Sequence, residues 1–481
     1  MKNANKYFLI LLVILIGGFA VRLYRFDNPI ADWHSWRQAD TSAVSRNFVN
    51  DGFDLLHPRM DNISNVQSGL ENPHGYFFVE FPMYNAAQAG LFQIFGMLTL
   101  EEWGRLITIF SSLLTAFFLY LLVSRHSNKT IGLFAAFFYT FIPFDIYYGR
   151  VILADPSMVM AVTGGIYFFD RWLDTSSKDK VKSVKFYVLV LLFTTAALLL
   201  KPVALFFVLP MIVLAWKKFG ARLFLQWPLW LLAIVSVVPL IWWRTWMTQY
   251  PEGIPANAWL LNGNGIRFRP SFFRWIFYER LTKLISGYFG MVFALIGVYQ
   301  LTKQKDWLFF ASFVVSSLVY VCVFATGNVQ HDYYQIPIMP SVSIIFAIGA
   351  YYLYHLSLKK MPVGKVLLVV CMIGGFYFSW HQVRDYFNIN NRSIIVAGVA
   401  VDKLTPKDAK IIANYNGDSS FLYQTKRKGW ASFEKPIPEM VHMGASYLVL
   451  VNPTEQDLGL SKEYPIVTAT PEYVLFDLKK K

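Results

Sequence analysis

The segment from Asp32 to Phe48 gathers the side chains that could carry out chemistry. It reads DWHSWRQADTSAVSRNF, so two carboxylates, Asp32 and Asp40, stand beside a histidine, two arginines and two tryptophans, while most of the chain is apolar. A carboxylate in such a segment can take a proton from a hydroxyl group. The alternative is an amphipathic linker helix whose tryptophan rings lie among lipid headgroups and whose charges are solvated.

Composition indicates a polytopic membrane protein. Of the 481 residues, 55% are hydrophobic and only 15% are charged, which is too apolar for a soluble domain of this length. The net charge of +14 does not indicate nucleic acid, because Lys and Arg form short clusters between apolar runs and no continuous basic face. Cys322 and Cys371 both lie inside apolar runs, which excludes a disulfide framework and a CxxC metal cluster.

The apolar runs predict an all-α membrane fold with about eleven spans. The first, YFLILLVILIGGFAVRLY, follows a basic start but has no small-residue cleavage site, so we interpret it as an uncleaved span. The others are centred near residues 113, 139, 165, 193, 208, 235, 293, 317, 346 and 373. The runs near 193 and 208 are either one kinked helix or two helices that meet at Lys201 and Pro202.

Charge bias orients the chain with its N-terminus in the cytoplasm, because alternate short loops are basic. These loops carry Arg125, Lys129, Lys178, Lys180, Lys182, Lys185, Lys217, Lys218, Arg222, Lys303, Lys305, Lys359, Lys360 and Lys365. The outer face then receives residues 25–101, the turn from Gly149 to Asp155, Lys201, residues 244–284, the segment from Gly327 to Tyr334 and the chain after about 383. The polar residues outside the basic cytoplasmic loops are therefore all expected on the outer side of the membrane.

Two of these outer residues stand at the ends of apolar runs. Asp155 precedes Pro156, where it could simply cap a helix or could act in a site. Lys201 interrupts TTAALLL and PVALFFVLP, so its charge must either reach the interface or meet an anion.

Two outer segments are denser in polar and aromatic residues than a headgroup belt requires. His331, Asp332, Tyr333 and Tyr334 crowd the start of a late span. Residues 244–284 carry Arg267, Arg269, Arg274 and Arg280, which suits either a solvated interfacial helix or a contact with phosphate or anionic lipid.

The outer loops also contain folded elements. We expect a short helix over SAVSRNF with Asp40 as its N-cap, and an interfacial helix that begins at Glu80 near Pro82. From about residue 383, helical runs alternate with IIANYN, SYLVLV and YVLFDL, which predicts a small α/β domain over 383–481. Within it, GDSSFLYQTKRKGW either recognises an acceptor or packs structurally.

The order of these motifs resembles the GT-C superfamily of integral-membrane glycosyltransferases, over residues 1–382. The similarity is greatest to the branch with protein O-mannosyltransferases and the aminoarabinose transferase of lipid A. It rests on the single span before a long acidic outer loop, the Asp-Pro of the second outer loop, the lysine at a broken pair of spans and the late His/Tyr/Tyr segment. The chain departs from the branch at Arg37-Gln38, where relatives often have an Asp-Glu pair.

This resemblance implies sugar transfer from a polyprenyl-phosphate donor to an envelope glycolipid, polysaccharide or protein, at the outer face of a bacterial-type inner membrane. The sugar would be a hexose or a pentose. Membrane lipids would be the other partners. No nucleotide-binding loop is visible and no cofactor is required, although a divalent cation fits the family too.

The resemblance also distributes roles over the polar residues. The catalytic candidates are Asp40, Asp155 and Asp32, with Asp40 preferred as the base. The candidates for binding the donor phosphate or lipid are Lys201, Arg37, His331, Tyr333, Tyr334 and Arg269. Contacts with acceptor or sugar fall to His34, Trp36 and Glu80, and no metal ligand is assigned.

Two other function classes stay open. A flippase or transporter of lipid-linked sugars would need ionisable residues or helix breaks near mid-membrane, whereas the runs here are nearly free of charge at their centres. A component of polysaccharide assembly or export would not need Asp40, Asp155 and Lys201 together.

The topology can be tested with single cysteines and an impermeant thiol reagent on intact cells. Cysteines in residues 25–101, 244–284 and 383–481 should be labelled, because these segments are expected outside the cytoplasm. Cysteines at Lys303 and Lys359 should stay unlabelled. Labelling at those two positions together with a protected C-terminal segment would contradict the orientation.

Overall fold

A computed structural model describes residues 2–175, 179–357 and 361–480, with side chains from residue 5 onward. The basic loop residues Lys178, Lys359 and Lys360 lie outside these ranges. The chain divides into two compact units. The helical unit comprises Met1–Tyr24, Leu106–Trp243 and Asn257–Asp385, and the α/β unit comprises Arg25–Arg105, Arg244–Ala256 and Tyr386–Lys481.

Helices account for most of the described chain. In chain order they are α1 (Lys2–Arg22), α2 (Ser35–Asp51), α3 (Met83–Phe95), α4 (Leu100–His126), α5 (Lys129–Phe141), α6 (Pro143–Tyr148), α7 (Asp155–Thr175), α8 (Lys180–Leu200), α9 (Leu209–Phe219), α10 (Trp227–Met247), α11 (Trp259–Asn262), α12 (Pro270–Phe273), α13 (Gly290–Leu301), α14 (Trp307–Val323), α15 (Ala325–Gln330), α16 (Met339–His355), α17 (Val363–Val383), α18 (Ser393–Leu404), α19 (Ser419–Thr425), α20 (Ile437–His442) and α21 (Glu455–Leu458). Short 3-10 turns span Pro202–Val208, Gly220–Leu225, Pro251–Gly253, Gly263–Phe268, Asp332–Ile338, Arg384–Phe387 and Gly459–Lys462, and a π-helix spans Arg274–Ile285. The strands are β1 (Lys410–Ala413), β2 (Gly429–Trp430), β3 (Ala445–Val451), β4 (Ile466–Ala469) and β5 (Tyr473–Asp477).

In the described residues, seven segments are long and apolar enough to cross a membrane. They are Asn5–Arg22, Leu100–His126, Lys180–Leu200, Pro202–Leu225, Trp227–Met247, Asp332–His355 and Val363–Phe387. The number becomes eight if the π-helix and α13, which meet at a bend of 117°, form one broken span. The expected all-α membrane fold with a small C-terminal α/β part is confirmed, whereas the count of about eleven spans stays a prediction.

The chain breaks between α8 and the next turn, at Lys201. Lys201 is extended, with φ −157° and ψ 127°, and Pro202 starts the following 3-10 turn. Proline lacks the amide proton that an α-helix needs and pushes the residue before it into an extended conformation. The chain therefore forms two separate helical elements that meet at Lys201 and Pro202, and not one kinked helix.

The break brings Lys201 against the carboxylate that begins α7. Lys201 Nζ lies 2.9 Å from Asp155 Oδ2, and the two side chains are only 13% and 5% exposed. The same two helices pack closely along their length, because a Cβ at Gly164 would lie 2.4 Å from the Phe193 ring. Asp155 therefore begins its helix and also neutralises a nearly buried cation.

A second group of charged side chains lies at the other end of α7. Asp170 accepts a hydrogen bond of 2.5 Å from Arg125, and the adjacent His126 pairs with Asp306 at 2.7 Å. At 1.5 Å per residue, Asp155 and Asp170 are about 22 Å apart along the helix. Ionic contacts thus gather at both ends of α7, and the stretch between them is apolar.

The C-terminal sheet has the strand order β2-β1-β3-β5-β4. β1 pairs in parallel with β2 and β3, and β5 pairs antiparallel with β3 and β4. Buried side chains cover both faces, with Ile411, Val449 and Leu475 on one face and Ile412, Leu448 and Val474 on the other. Whether 383–481 is a domain of its own stays a prediction, because the compact α/β unit also includes residues 25–105.

The segment around Asn62, within residues 25–101, extends this sheet beyond β2. The Ile63 amide donates to the Gly429 carbonyl at 2.8 Å, and the Gly429 amide donates to the Asp61 carbonyl at 3.0 Å. Asn62 and Gly429 therefore form a parallel bridge. The loop and the C-terminal segment are thus tied by backbone hydrogen bonds within one unit.

The helix that carries Asp40 is longer than expected. α2 begins at Ser35, His34 occupies the N-cap position, and Asp40 lies in the second turn. The prediction of Asp40 as N-cap was wrong, because the Asp40 carboxylate is hydrogen-bonded by the Gln67 side chain from a distant segment and not by the amides of its own helix. Such tertiary partners override the local preference of aspartate for helix starts.

The second predicted helix of the loop, α3, begins at Met83 after Pro82. It packs on α2 through polar side chains, since Asn85 donates to the Thr41 carbonyl at 2.6 Å and Gln88 donates to Ser42 Oγ at 3.2 Å. α3 therefore packs on α2 at Thr41 and Ser42, the two residues that follow Asp40. Its placement at a membrane interface stays a prediction.

The Asp155–Lys201 pair yields a stability prediction. Lys201→Met should lower the unfolding temperature of the purified protein in detergent, because loss of one partner from a buried ion pair costs roughly 3–5 kcal/mol. The double variant Lys201→Met/Asp155→Asn should recover most of this loss. Lys185→Met, at an exposed site on the same helix, is the matched control. Equal unfolding temperatures for Lys201→Met and Lys185→Met would show that the pair does not stabilise the fold.

Candidate functional site

Asp40 is buried in the α/β unit, where two side chains from other segments lie against its carboxyl group. The Gln67 side-chain amide donates to Asp40 Oδ2 at 3.0 Å. The Ser419 side chain lies beside the same carboxyl group and favours its charged form, while its hydroxyl donates to the Trp36 carbonyl at 3.1 Å. Asp40 is only 3% exposed. One candidate base is therefore held by the first outer loop and by the C-terminal segment together.

Burial raises the pKa of Asp40 to about 7, because the charged carboxylate is deprived of water. The Asp418 carboxylate raises it further by repulsion, whereas Ser419, Arg37 and Gln67 lower it. A carboxyl group that titrates near neutral pH can both accept and release a proton at that pH. This is the property that a general base requires.

Asp32, the other acidic candidate in the loop, is also buried. It is 1% exposed and accepts a hydrogen bond of 2.7 Å from the Gln38 amide. Gln38 also donates to the Trp33 carbonyl at 3.3 Å. Asp32 therefore fastens the start of α2, while Asp40 lies inside the helix.

His34 and Trp36 flank that helix start. His34 is left-handed, with φ 53° and ψ 35°, a conformation that costs a non-glycine residue about 1–3 kcal/mol. The Trp33 ring packs 5.0 Å from His34 and stacks on Tyr386 at 4.9 Å. The Trp36 carbonyl accepts a hydrogen bond of 3.1 Å from Ser419 Oγ. Aromatic packing thus fixes a tight turn just before Asp40.

Arg37 and Glu80 were predicted to have separate roles, but the structure pairs them. Their side chains form an ion pair and are 6% and 11% exposed. The Arg37 guanidinium also lies over the Phe77 ring, 5.4 Å from its centre. Arg37 therefore joins α2 to the segment that leads into α3.

The helical unit holds a second group of predicted residues. Lys201, which pairs with Asp155, lies 5.9 Å from the centre of the Tyr333 ring. Tyr333 in turn packs against His331 at 5.5 Å and Tyr334 at 4.8 Å. Five residues that the sequence placed in three different outer segments are thus neighbours.

The same cluster includes Asp332, to which the sequence analysis gave no role, and Tyr148, which it did not name. Asp332 accepts a hydrogen bond of 2.5 Å from the Tyr148 hydroxyl and is 1% exposed. Arg269, by contrast, is exposed and forms none of the ion pairs found among the described residues. Its predicted contact with donor phosphate stays a prediction.

A small apolar cavity of about 20 Å³ lies among α7, α8, the Pro202–Val208 turn and α9. Its lining consists of Ala161, Val162, Ile166, Thr194, Ala197, Leu198, Ala204, Phe207, Val208 and Met211. This volume has room for about one water-sized molecule, so the cavity is a packing defect between the helices and not a ligand pocket.

The structure brings the predicted residues together in two groups, one in each unit. The α/β unit contains Asp32, His34, Trp36, Arg37, Asp40 and Glu80, and the helical unit contains Asp155, Lys201, Arg269, His331, Tyr333 and Tyr334. Sequence reasoning missed Gln67 and the contact of Ser419 with Asp40. Ser419 belongs to GDSSFLYQTKRKGW, whose interpretation was left open, and Gln67 carries no motif. In the part of the chain that the structure describes, no group of three or more His, Cys, Asp or Glu side chains could hold a metal ion.

Comparisons with known proteins show one matching family and several solved structures with a similar fold. Residues 79–243 match the family of dolichyl-phosphate-mannose-protein mannosyltransferases. The crystal structure of ArnT from Cupriavidus metallidurans in the apo state matches with a TM-score of 0.66 and 13% identity, over 99% of this chain and 98% of that chain. ArnT bound to undecaprenyl phosphate matches with a TM-score of 0.66 and 13% identity, over 97% of both chains.

A third solved structure extends the similarity. The apo oligosaccharyltransferase from Archaeoglobus fulgidus matches with a TM-score of 0.60 and 12% identity, over 94% of this chain and 72% of that chain. No curated protein matches the chain by sequence. The expected resemblance is confirmed at the level of the fold: the chain has the GT-C fold, shared with ArnT over nearly its whole length, and matches the mannosyltransferase family over residues 79–243.

Proposed function

We propose that this chain is a membrane glycosyltransferase that moves a sugar from a polyprenyl-phosphate donor to an acceptor in the cell envelope. The observation that carries the proposal is Asp40, a buried carboxyl group with a pKa of about 7 inside a GT-C fold. The family matched by residues 79–243 is named for a dolichyl-phosphate sugar, and the ArnT crystal contains undecaprenyl phosphate. Both lipids are polyprenyl phosphates, which supports a donor of this class.

In the proposed reaction, Asp40 takes the proton of an acceptor hydroxyl while that oxygen bonds to the anomeric carbon of the sugar. The bond from this carbon to the phosphate oxygen breaks, and polyprenyl phosphate leaves with the bonding electrons. Asp40 then returns its proton to solvent. Asp32 suits the role less well, because its carboxylate is bonded by Gln38 at the helix start.

The helical-unit cluster is the proposed binding site for the donor phosphate. Lys201 supplies a positive charge that Asp155 holds in place, and Tyr333 and His331 provide polar ring atoms beside it. Charge that develops on a departing phosphate is stabilised by such fixed groups in a site with little water. Arg37 and Arg269 are further phosphate candidates.

The remaining assignments follow the resemblance. His34, Trp36 and Glu80 are proposed to contact acceptor or sugar, and the acceptor is an envelope glycolipid, polysaccharide or protein. Transfer is proposed at the outer face of a bacterial-type inner membrane, with the C-terminus on that face. The reaction as written uses no cofactor, and activity with EDTA and with added Mg²⁺ or Mn²⁺ tests for a divalent cation.

A flippase for lipid-linked sugars, or a part of a polysaccharide export machine, is the alternative class. The two classes differ in product, because an enzyme changes the covalent structure of an envelope molecule and a flippase only moves its substrate. Mass spectrometry of envelope lipids, glycans and proteins, with and without the gene, distinguishes them. A new sugar on an acceptor that depends on the gene would support the enzyme.

The sharpest test of the base is a pair of isosteric variants in a strain that lacks the gene. Asp40→Asn should reduce the modified product by about a hundred-fold or more, because general base catalysis contributes roughly 10²–10⁴-fold. Asp32→Asn should reduce it less. The measurement is the amount of modified acceptor by mass spectrometry, at equal protein levels in the membrane.

Size-exclusion chromatography in detergent controls for folding of both variants. Near-normal product with Asp40→Asn and loss of product with Asp32→Asn would transfer the role of base to Asp32. Near-normal product with both would remove this loop from the chemistry.

A further inference from the structure

We propose that an aromatic and basic surface of the α/β unit binds an acidic saccharide that forms part of the acceptor. We call this surface the ribbon face, and it consists of His57, Arg59, His74 and Tyr76. The inference rests on the proposed function and specifies the acceptor as an extended acidic glycan. The reacting hydroxyl belongs to a different part of that glycan from the sugar bound here.

The ribbon face belongs to two short segments that pair in antiparallel fashion. The Met60 amide donates to the Gly75 carbonyl at 2.7 Å, and the Phe77 amide donates to the Pro58 carbonyl at 2.9 Å. Successive side chains of such paired extended segments lie on opposite faces. Burial follows this alternation, since the residues of one face are all buried: Pro58, Met60, Gly75 and Phe77. The residues between them form the ribbon face and are only partly covered.

Tyr76 lies at the centre of the ribbon face. Arg59 stands directly opposite it in the pairing, and the Arg59 guanidinium lies 5.5 Å from the centre of the Tyr76 ring. The rings of His57 and His74 lie 5.9 and 5.2 Å from the same ring. His74 is exposed, and the other three side chains are half-buried. These groups are therefore accessible to a ligand from solvent.

The end of α10 and the turn after it form a wall beside the ribbon face. The Tyr250 ring lies 5.1 Å from the rings of both Tyr76 and His57. The Trp246 ring lies 5.7 Å from His57, and its Nε1 donates to the Leu56 carbonyl at 3.2 Å. A headgroup belt at the end of a span would present Trp246 and Tyr250 to lipid, whereas here both rings pack on His57.

Polar atoms of the wall and the ribbon are held in fixed positions. His57 Nδ1 lies 2.9 Å from Asp54 Oδ2, and His57 Nε2 lies 3.1 Å from the Tyr250 hydroxyl. Asp54 Oδ1 also accepts hydrogen bonds of 3.2 and 3.1 Å from the Leu56 and His57 amides. In the neutral imidazole, a proton on Nδ1 that bonds Asp54 leaves Nε2 to accept from Tyr250. A ligand meets groups that are already ordered, which lowers the entropic cost of binding.

A saccharide ring suits this surface. One side of a pyranose presents C–H groups and its rim presents hydroxyls, so it can stack on an aromatic ring while its hydroxyls bond polar atoms at the ring edges. The phenol of Tyr76 and the imidazoles of His57 and His74 offer both kinds of contact. A purely apolar ligand would instead leave these polar groups without partners, at a cost in free energy.

The charge of Arg59 indicates an acidic saccharide. Its guanidinium forms none of the ion pairs found in the part of the chain that the structure describes. A guanidinium that lies over an aromatic ring still presents N–H groups at its edge, where a carboxylate or a phosphate binds with two parallel hydrogen bonds. Asp54, the nearest carboxylate in sequence, is bonded to His57 instead. An acidic group on the saccharide would therefore neutralise Arg59.

The opposite face of the ribbon leads to the candidate base. Met60 Sδ lies 3.5 Å from the Gln67 side-chain nitrogen, which also donates to Asp40. The Ala256 amide donates to the Gln67 carbonyl at 2.9 Å, so the turn after α10 meets the same residue. Asp40 thus lies behind the ribbon, and a sugar on the ribbon face does not contact it. The acceptor must extend past the ribbon for one of its hydroxyls to reach Asp40.

The first test identifies the ligand directly. Full-length protein with His74→p-benzoylphenylalanine is expressed in cells that form the modified product and is then irradiated, and the cross-linked peptide is analysed by mass spectrometry. We expect an adduct with an oligosaccharide that contains a uronic acid or a phosphorylated sugar. Phe433→p-benzoylphenylalanine, at an exposed ring of the C-terminal segment, should give no saccharide adduct. A neutral saccharide, a phospholipid or no adduct at position 74 would each overturn the proposal.

The second test measures KM and kcat in solubilised membranes that supply the donor, with the acceptor fraction isolated from a strain that lacks the gene. Arg59→Gln and Tyr76→Leu should each raise the KM for acceptor about ten-fold and leave kcat within about two-fold, because the lost contacts bind substrate and transition state equally. Tyr76→Phe keeps the ring and should keep KM near normal. Phe433→Leu, which removes an exposed ring elsewhere in the unit, is the matched control.

Size-exclusion chromatography in detergent checks the folding of each variant, and Arg59→Gln decides the test should Tyr76→Leu fail to fold. An unchanged KM in the folded variants, or a fall in kcat alone, would overturn the ribbon face as an acceptor subsite while leaving Asp40 as the proposed base. An envelope whose composition does not depend on the gene would instead overturn the transferase, whatever is cross-linked at position 74.

Discussion

The cost of burying the Asp40 carboxylate is the constraint on which the α/β unit depends. A charge removed from water is tolerated only where hydrogen bonds and opposite charge replace the lost solvent. Gln67 supplies a hydrogen bond, Ser419 lies beside the carboxyl group and favours its charged form, and Arg37 supplies the charge. These groups come from three segments of the chain, so the outer loop, α2 and the C-terminal sheet must fold on one another before Asp40 has its partners. The result is a pKa of about 7, since compensation is incomplete.

The helical unit also buries a carboxylate, that of Asp155, but gives it a charged partner. Asp155 meets a full positive charge on Lys201 at 2.9 Å, whereas Asp40 meets mainly neutral donors. Burial with mainly neutral partners raises the pKa of a carboxyl group, as it does for Asp40. The two carboxylates are almost equally buried and differ in their partners, which is why Asp40, and not Asp155, is the proposed base.

The sequence predicted the features that depend on neighbouring residues. Each long apolar run coincides with a helix or a helical turn, Pro202 breaks the chain, and SYLVLV and YVLFDL form β3 and β5. It failed where a distant segment decides the outcome. Asp40 looked like a helix start because aspartate prefers N-caps, but its partners are Gln67 and Ser419. Arg37 and Glu80 likewise looked independent, and only the fold shows that each neutralises the other.

The joint folding of the outer loop and the C-terminal segment also has a structural cause. β2 has only two residues, Gly429 and Trp430, so alone it would leave an edge of unpaired backbone groups beside β1. The loop around Asn62 covers that edge with its own amide and carbonyl groups. The sheet in turn fixes the loop at Ile63. Gln67, whose side chain donates to Asp40, lies four residues later. The loop thus pairs with the free edge of β2, and the same hydrogen bonds fix the position of the loop. For this reason residues 25–105 and 386–481 form one compact unit although most of the helical unit separates them in sequence.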